Sequence, residues 1–183
     1  INGTAAEVVA AINHAQVNHD DNFLVSLTAD STAAAADLKT INTATSGIIT
    51  ATGVTAISGS ISDINDVLAV ETSQGNAGQQ IDLDTDFTVT DTGSIAATTL
   101  TTLDTNVPGA TVTASGITTL TGSASQIAAA ATAINNGTLV MANNFAATVS
   151  ATASAAADLT IISGQTSGTV NATAATAING TAS

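Results

Sequence analysis

The chain repeats itself, and this internal repeat limits the folds open to it more than any other feature. The stretch ITATGVTAISGSISDI from Ile49 returns as TVTASGITTLTGSASQI from Thr111 and as TVNATAATAINGTAS from Thr169. The hydrophobic residue two places before the recurring glycine marks the register at Ile1, Ile57, Leu120 and Ile178, which lie 56, 63 and 58 residues apart. Such self-similarity is typical of repeat proteins, in which each unit buries its apolar face against its neighbours.

The repeat register divides the chain into about three tandem units within a single segment that spans residues 1–183. The units are 1–56, 57–119 and 120–177, and the start of a further unit covers 178–183. Because residue 1 already lies inside a repeat, no signal peptide is visible. We therefore expect this segment to be internal to a longer protein, with its targeting information elsewhere.

Each repeat divides into two strand–helix turns of the chain, which we name coil A and coil B. Coil A opens on a phenylalanine followed by alternating apolar and hydroxyl residues, a pattern that predicts a short strand with one buried face. These strands are 23–29, 87–91 and 145–151. The alanine-rich stretches that follow each begin with a hydroxyl residue suited to an N-cap and continue with two branched residues at i, i+3 spacing. They predict helices over 32–42, 94–104 and 154–163.

Coil B begins with a second strand-like run, followed by the piece V/I/A-T-x-I/L, which fits either a helical turn or another strand. A hydroxyl residue and a polar partner three places later then predict a capping box. The pairs are Thr4 with Glu7, Ser60 with Asp63 and Ser123 with Gln126. The predicted helices are 4–14, 62–70 and 125–134.

The alternation of strands and helices predicts an α/β solenoid, in which stacked strand–helix coils form a parallel β-sheet of about six strands. Connections of this length are long enough for parallel pairing, and short helices would lie on the opposite face. A right-handed β-solenoid decorated by short helices is the alternative. The choice depends on the structure of the V/I/A-T-x-I/L piece.

The charge of the chain excludes several classes of partner. The chain has one basic residue, Lys39, and 14 acidic residues, so that its net charge is −13. Nucleic acid requires clustered Lys and Arg and is excluded as a partner, and basic attraction to an anionic membrane is excluded for the same reason. No apolar stretch approaches the roughly 18 residues of a membrane span. The absence of Cys leaves no disulfide framework.

No residue pattern in the chain predicts catalysis, so we expect no enzyme. The chain has no Gly-x-Ser-x-Gly elbow and no P-loop, and it lacks the Arg, Tyr and Trp with which polysaccharide enzymes bind sugars. His14 and His19 lie near two acidic residues, but the later repeats carry no histidine there. A solvated loop explains this histidine pair best.

The strongest candidate site is a run of alternating carboxylates before the second phenylalanine. Asp82, Asp84 and Asp86 would face the same side of an extended strand, and hard cations such as Ca²⁺ bind clusters of carboxylate oxygens. Asp20 occupies the corresponding oxygen-rich position before Phe23. These four residues are candidate calcium ligands, and an acidic, solvated loop is the alternative.

Runs such as VTDTGSIAATTLTTLD, TATSGIITATGVTAISGS and NATAATAINGTAS resemble the Thr/Ala/Asp-rich tandem repeats of giant bacterial surface proteins, particularly cyanobacterial ones. The resemblance covers essentially the whole chain and rests on composition and period. It implies a secreted, extracellular protein of the bacterial cell surface: an adhesin stalk, a motility-associated protein or an S-layer-like component. A cell-surface glycan is among the partners that it implies.

These observations together predict a non-enzymatic structural segment of an extracellular filament, stalk or surface layer. Its main partners would be neighbouring repeats or subunits of its own kind. An ice-binding or other ligand-binding β-solenoid is the alternative, because Thr88 with Thr90 and Thr111 with Thr113 form TxT pairs. The corresponding positions of the other repeats are irregular, which argues against ice.

Overall fold

The computed structural model describes residues 1–27, 32–51, 53–73 and 85–180. The chain forms two compact units, Ile1–Thr90 and Asp91–Ser183. Both are α/β, and every strand pair within them is parallel. The predicted alternation of strands and helices and the parallel pairing are therefore confirmed.

The first unit contains three helices and six short strands among its described residues. In chain order these are β1 (Asn2–Gly3), α1 (Ala5–Ile12), β2 (Val25–Leu27), β3 (Ala33–Ala34), α2 (Ala35–Ala44), β4 (Ile49–Thr50), β5 (Ala56–Gly59), α3 (Ile61–Ser73) and β6 (Asp86–Val89). Strands β1, β2 and β4 pair in that order, and so do β3, β5 and β6. The helices pack in sequence order, α1 on α2 and α2 on α3.

The second unit repeats the same plan with three more helices. Its elements are β7 (Gly93–Ala96), α4 (Ala97–Asn106), β8 (Val112–Thr113), β9 (Ile117–Gly122), α5 (Ala124–Asn136), β10 (Leu139–Val140), β11 (Ala146–Val149), β12 (Ala153–Ala155), α6 (Ala156–Gln165), β13 (Val170–Asn171) and β14 (Ala177–Asn179). Strands β7, β9, β11 and β13 pair in that order, while β8 pairs with β10 and β12 with β14. Helix α5 packs against both α4 and α6.

The piece V/I/A-T-x-I/L contributes strand residues and no helical turn in all three copies. All four of its residues begin β9, whereas only its last two residues begin β5 and β14. One turn of the chain therefore contributes two short strands to different sheets: β4 pairs with β2, whereas β5 pairs with β3 and β6. The expectation of one sheet of about six strands is wrong, because the turn between such strands moves each to a new partner.

Coil B helices begin as the sequence predicts. The Thr4 hydroxyl accepts the N–H of Glu7, whose carboxylate accepts the Thr4 N–H, and Ser123 and Gln126 form the same capping box. The Ser60 hydroxyl accepts the N–H of Asp63 at 3.1 Å and donates to its carboxylate at 2.7 Å. These bonds satisfy amides that the first helical turn leaves free.

Coil A helices begin differently from the prediction. Their N-caps are Ala34, Ala96 and Ala155, which make no side-chain capping bond, and the expected hydroxyl caps Thr32, Ser94 and Ser154 lie before them. In each case a strand runs directly into the helix, so the N-cap is the last residue of a parallel ladder. Ser154 is buried, and its Oγ has no partner among the described residues. Each of the three coil A helices therefore begins directly after a hydrogen-bonded strand residue, without a side-chain cap.

The core is built from thin layers of branched side chains, with a phenylalanine in each unit. Phe87 and Phe145 are fully buried, while Phe23 is half-buried. The other large side chains that are fully buried are Leu27, Ile41, Ile57, Ile64, Leu100, Leu103, Ile117, Leu120, Ile127 and Leu139. None of the helices in the described ranges combines the length and apolar character that a membrane crossing requires.

Candidate functional site

The predicted calcium ligands lie at separate points of the chain, as far as the structure describes them. Asp20 is exposed in the loop between α1 and β2, and Asp86 is exposed at the start of β6, paired with Ala56. Asp82 and Asp84 lie outside the described residues. Within 1–27, 32–51, 53–73 and 85–180, no three His, Asp or Glu side chains are grouped to hold a metal ion. Calcium binding at these four residues stays a prediction.

The histidine pair has packing contacts. The His19 ring lies against Phe23, with 4.6 Å between ring centroids and an angle of 58° between the planes. His14 is exposed, and its Nδ1 accepts the N–H of Gln16 at 3.3 Å. His19 thus covers the one phenylalanine that is not fully buried.

A Thr-Ser-Gly turn, which we name the TSG clamp, fastens one turn of the chain to the preceding one in the first unit. The Thr45 hydroxyl donates to the carbonyl oxygen of Phe23 at 2.6 Å and accepts the N–H of Gly47 at 2.9 Å. The N–H of Ser46 donates to the carbonyl oxygen of Asp21 at 2.7 Å. A Cβ at Gly47 would collide with the carbonyl oxygens of Asn22 and Phe23.

The second unit contains the same clamp with the same geometry. The Thr166 hydroxyl donates to the carbonyl oxygen of Phe145 at 2.5 Å and accepts the N–H of Gly168 at 2.9 Å. The N–H of Ser167 donates to the carbonyl oxygen of Asn143 at 2.8 Å. A Cβ at Gly168 would collide with the backbone before and at Phe145. The sequence pattern indicates only a turn at these residues, although the recurrence of TSG after N-F is a signal that could have found the clamp.

An ion pair joins two neighbouring helices of the first unit. The Lys39 ammonium on α2 lies 2.5 Å from a carboxylate oxygen of Asp66 and 3.6 Å from one of Asp63, both on α3. The hydrogen bond and charge of Asp66, with a smaller contribution from Asp63, raise the pKa of Lys39 above its ordinary value of 10.5. The only basic side chain of the chain is thus used between helices.

The C-terminal turn of the second unit leaves core positions uncovered. Ile178 is 61% exposed, although its repeat equivalents Ile57 and Leu120 are fully buried. Leu159 on α6 and Val170 on β13 are also partly exposed, whereas their equivalents in earlier repeats are buried. These are the repeat equivalents Leu38 and Leu100 for Leu159, and Ile49 and Val112 for Val170. Among the described residues β14 pairs with β12 alone.

The N-terminal turn of the first unit has an open strand edge as well. Strand β1 lies at the edge of its three-stranded sheet, paired with β2. Ile1, at the same repeat position as Ile57, is 37% exposed, and its ammonium donates to the carbonyl oxygen of Leu24 at 2.6 Å. Ile1 and Ile178 thus occupy the same repeat position as Ile57, and both side chains are exposed. Strands β1 and β14 each have one neighbouring strand among the described residues.

Comparisons with protein-family models, with curated proteins and with solved structures found no match to this chain.

Proposed function

We propose that this chain is a non-enzymatic structural segment of an extracellular bacterial filament, adhesin stalk or S-layer-like protein, assembled by stacking of repeats. The observation that carries the proposal is the burial of one repeat position by the following turn of the chain. Its residue is fully buried at Ile57 and Leu120, where a following turn of chain lies against it, and 61% exposed at Ile178. Burial of this position therefore depends on the turn of chain that stacks on it, as expected where stability comes from contacts between neighbouring repeats.

The proposal takes the repeats to be coils of a solenoid in which short helices alternate with short strands, an arrangement between the expected α/β solenoid and its alternative, the helix-decorated β-solenoid. It is supported by the parallel pairing of corresponding residues in successive turns, such as Ala33 with Ile57 and Ile57 with Phe87. The TSG clamps at Thr45 and Thr166 fasten the coil A turns of the first and third repeats to carbonyl oxygens about 20 residues earlier in the chain. In such an array every turn contacts only its neighbours, and stability accumulates along the stack.

The extracellular, bacterial location is part of the proposal and rests on composition and on the resemblance of the repeats to surface proteins. A net charge of −13 keeps a polar, Thr-rich surface soluble and disfavours nucleic acid. A cell-surface glycan remains a proposed partner on the same basis.

An ice- or ligand-binding face is the weaker candidate. One observation favours it: Thr121, Thr148 and Asn171 lie in register on the neighbouring strands β9, β11 and β13. However, the Thr121 hydroxyl donates to the carbonyl oxygen of Ile95 at 3.2 Å, and the Asn171 side chain accepts the N–H of Thr173. These groups are bonded to the protein and less available to order water. A thermal hysteresis assay tests this candidate directly.

The stacking proposal predicts that Ile178→Thr weakens self-association without lowering the stability of the fold. Ile178 gains burial only on assembly, and losing that burial costs about 1–2 kcal/mol, or a factor of about 5 to 30 in the dissociation constant. Sedimentation velocity over a range of protein concentrations measures the effect, and electron microscopy shows the filaments.

Ile161→Thr is the matched control, because Ile161 is also a branched side chain, 42% exposed, but lies on helix α6 and not on a strand edge. We expect its association to equal that of the wild type. Wild-type protein that stays monodisperse at every concentration and salt would refute the stacking proposal.

A further inference from the structure

Asp104, in the last turn of α4, has a carboxylate whose hydrogen bonding is only half satisfied. One oxygen, Oδ2, accepts the Thr138 hydroxyl at 3.1 Å. The other, Oδ1, is buried and has no partner among the described residues. An ionised carboxylate can accept bonds on both oxygens, and it is costly to bury without donors. The protein itself therefore supplies too few donors for this charge.

The surroundings of the Asp104 carboxylate are negative as well. Asp104 lies at the C-terminal end of α4, and its partner Thr138 lies just after the C-terminal end of α5. Helix C-termini carry a partial negative charge and favour cations. Residues 91–183 contain no Lys, Arg or His. No side chain of this unit can therefore supply a positive charge to Asp104.

Three oxygen atoms meet at this point and share a single hydroxyl hydrogen. The Thr138 Oγ1 lies 3.1 Å from the Oδ2 of Asp104 and 3.4 Å from the carbonyl oxygen of Ala133, one of the last four carbonyls of α5. A hydroxyl has one hydrogen to donate, so it serves one of the two acceptors at a time. Thr138 is exposed, so the three oxygens are accessible from solvent.

We propose that the Asp104 carboxylate, the Thr138 hydroxyl and the Ala133 carbonyl bind one Ca²⁺ ion, with water as the remaining ligands. Carboxylate, carbonyl and water oxygens are the ligands that hard cations prefer. The ion supplies the positive charge that residues 91–183 lack. The site shares no residue with the calcium ligands predicted from the sequence, and it does not depend on stacking of repeats.

The spacing of the oxygens favours Ca²⁺ over Mg²⁺. Two ligand oxygens 3.1–3.4 Å apart subtend about 80–90° at a Ca²⁺ ion about 2.4 Å from each, which suits its flexible coordination. At the shorter Mg²⁺–oxygen distance of about 2.0–2.1 Å the angle becomes about 100–110°, which fits an octahedron poorly. With one carboxylate in the site, we expect a dissociation constant of about 10⁻⁴–10⁻³ M, the range of extracellular calcium modules.

NMR amide shifts of the full chain during a CaCl₂ titration at constant ionic strength test the site. We expect the amides of Gly137 and Thr138 to shift and to saturate with a dissociation constant of about 0.1–1 mM. MgCl₂ should need a concentration about ten times higher, because its geometry fits less well. No saturable shift of these amides up to about 20 mM CaCl₂, well above the expected range, would overturn the site.

Asp104→Asn should weaken Ca²⁺ binding at these amides by about tenfold or more, because it removes the one charged ligand. Asp158→Asn is the matched control, since it removes an equal charge from the same unit. Asp158 lies in the first turn of α6, where the helix dipole already stabilises a carboxylate. We expect its Ca²⁺ affinity to equal that of the wild type. Equal losses in the two variants would assign the effect to net charge and overturn the site.

The charge of Asp104 can also be tested without calcium. In the presence of EDTA, Asp104→Asn should have a higher melting temperature than the wild type, because it removes an uncompensated charge from two helix C-termini. With CaCl₂ at ten times the dissociation constant, the wild type should gain about 3–6 °C and the variant should gain little. A variant that is less stable in EDTA and gains as much from calcium as the wild type would contradict the proposal.

A pair of variants at Thr138 tests the hydroxyl ligand. Thr138→Ser keeps the oxygen, whereas Thr138→Val replaces it with a methyl group of similar shape. We expect Thr138→Ser to bind Ca²⁺ like the wild type and Thr138→Val to bind it several-fold more weakly. Equal affinities of these two variants in the same NMR titration would overturn the three-oxygen site.

Discussion

Gly168 shows how the absence of a side chain lets two turns of the chain approach closely enough to bond. Its Cα faces the carbonyl oxygens of Asn144 and Phe145 so closely that a methyl group has no room. The close approach lets the N–H of Gly168 and the carbonyl of Phe145 share the hydroxyl of Thr166. The glycine is required by the approach of two backbones, and not by an unusual φ angle.

Two glycine variants, four residues apart, test this explanation. We expect Gly168→Ala to lower the free energy of unfolding by about 2 kcal/mol or more, because rigid backbone atoms must move to admit the methyl group. Gly164→Ala is the control: Gly164 lies in α6 with nothing within 4 Å of an added Cβ. Alanine is the better helix former there and should stabilise the fold by about 0.5–1 kcal/mol.

Urea unfolding followed by circular dichroism gives both free energies, since the midpoint shifts in proportion to stability when the slope is unchanged. Equal effects of the two substitutions would contradict the clamp. Gly47→Ala should behave like Gly168→Ala, since its Cβ would meet the carbonyl oxygens of Asn22 and Phe23 in the same way.

At the scale of the elements, helices α2 and α3 are linked by the only basic residue of the chain. Asp66 and, more weakly, Asp63 raise the pKa of Lys39 above 10.5. A raised pKa in the folded state means that the ion pair contributes its stability below the unfolded pKa and loses it as pH rises through the folded value. We therefore expect Lys39→Met to lower the melting temperature at pH 7 to 10, and the difference from wild type to shrink above about pH 10.5.

Thermal unfolding monitored at several pH values provides the measurement, with Lys39→Met/Asp66→Asn completing a double-mutant cycle. The side chains of Lys39 and Asp66 are both half exposed, so the effect should also weaken with added salt. A difference between wild type and Lys39→Met that stays constant up to pH 11.5 would exclude the ion pair as its cause.

The elements also show how far sequence reasoning reaches. The capping boxes at Thr4 and Ser123 depend on residues three apart, so local sequence is enough to predict them. The coil A helices depend on distant strands: Ala34 follows Ala33, whose partner is Ile57. No local pattern contains that pairing, and a hydroxyl residue before an alanine run therefore resembles a cap without being one. The TSG clamp escapes prediction for the same reason, since its acceptors lie about 20 residues earlier.

At the scale of the whole molecule, the sequence predicts which residues share the stacking position but not which of them are exposed. The repeat register alone assigns Ile1, Ile57, Leu120 and Ile178 to one position. The exposure of these side chains then shows that Ile57 and Leu120 are covered, whereas Ile1 and Ile178 are open. The residues that would cover Ile178 lie outside its own repeat, so the sequence of that repeat cannot reveal that its apolar side chain is uncovered.

Charge sets the conditions under which whole molecules associate. Each copy carries a net charge of −13, so copies repel one another at low ionic strength. The Debye length falls from about 30 Å at 0.01 M salt to about 8 Å at 0.15 M. We expect the assembled fraction of the wild type to rise over this range in NaCl, as measured by sedimentation velocity. Loss of assembly with rising salt would mean that ion pairs between copies drive it.

The same measurement separates screening from calcium binding. At matched ionic strength, NaCl, MgCl₂ and CaCl₂ should support assembly equally if charge screening alone is involved. If the predicted ligands Asp82, Asp84, Asp86 and Asp20 bind calcium, CaCl₂ should exceed both other salts, and Asp82→Asn/Asp84→Asn should remove the excess. Ile178→Thr should lower assembly in all three salts alike, because the apolar contact that it removes does not depend on the cation. An Ile178→Thr effect confined to CaCl₂ would assign the contact at β14 to the metal and not to strand stacking.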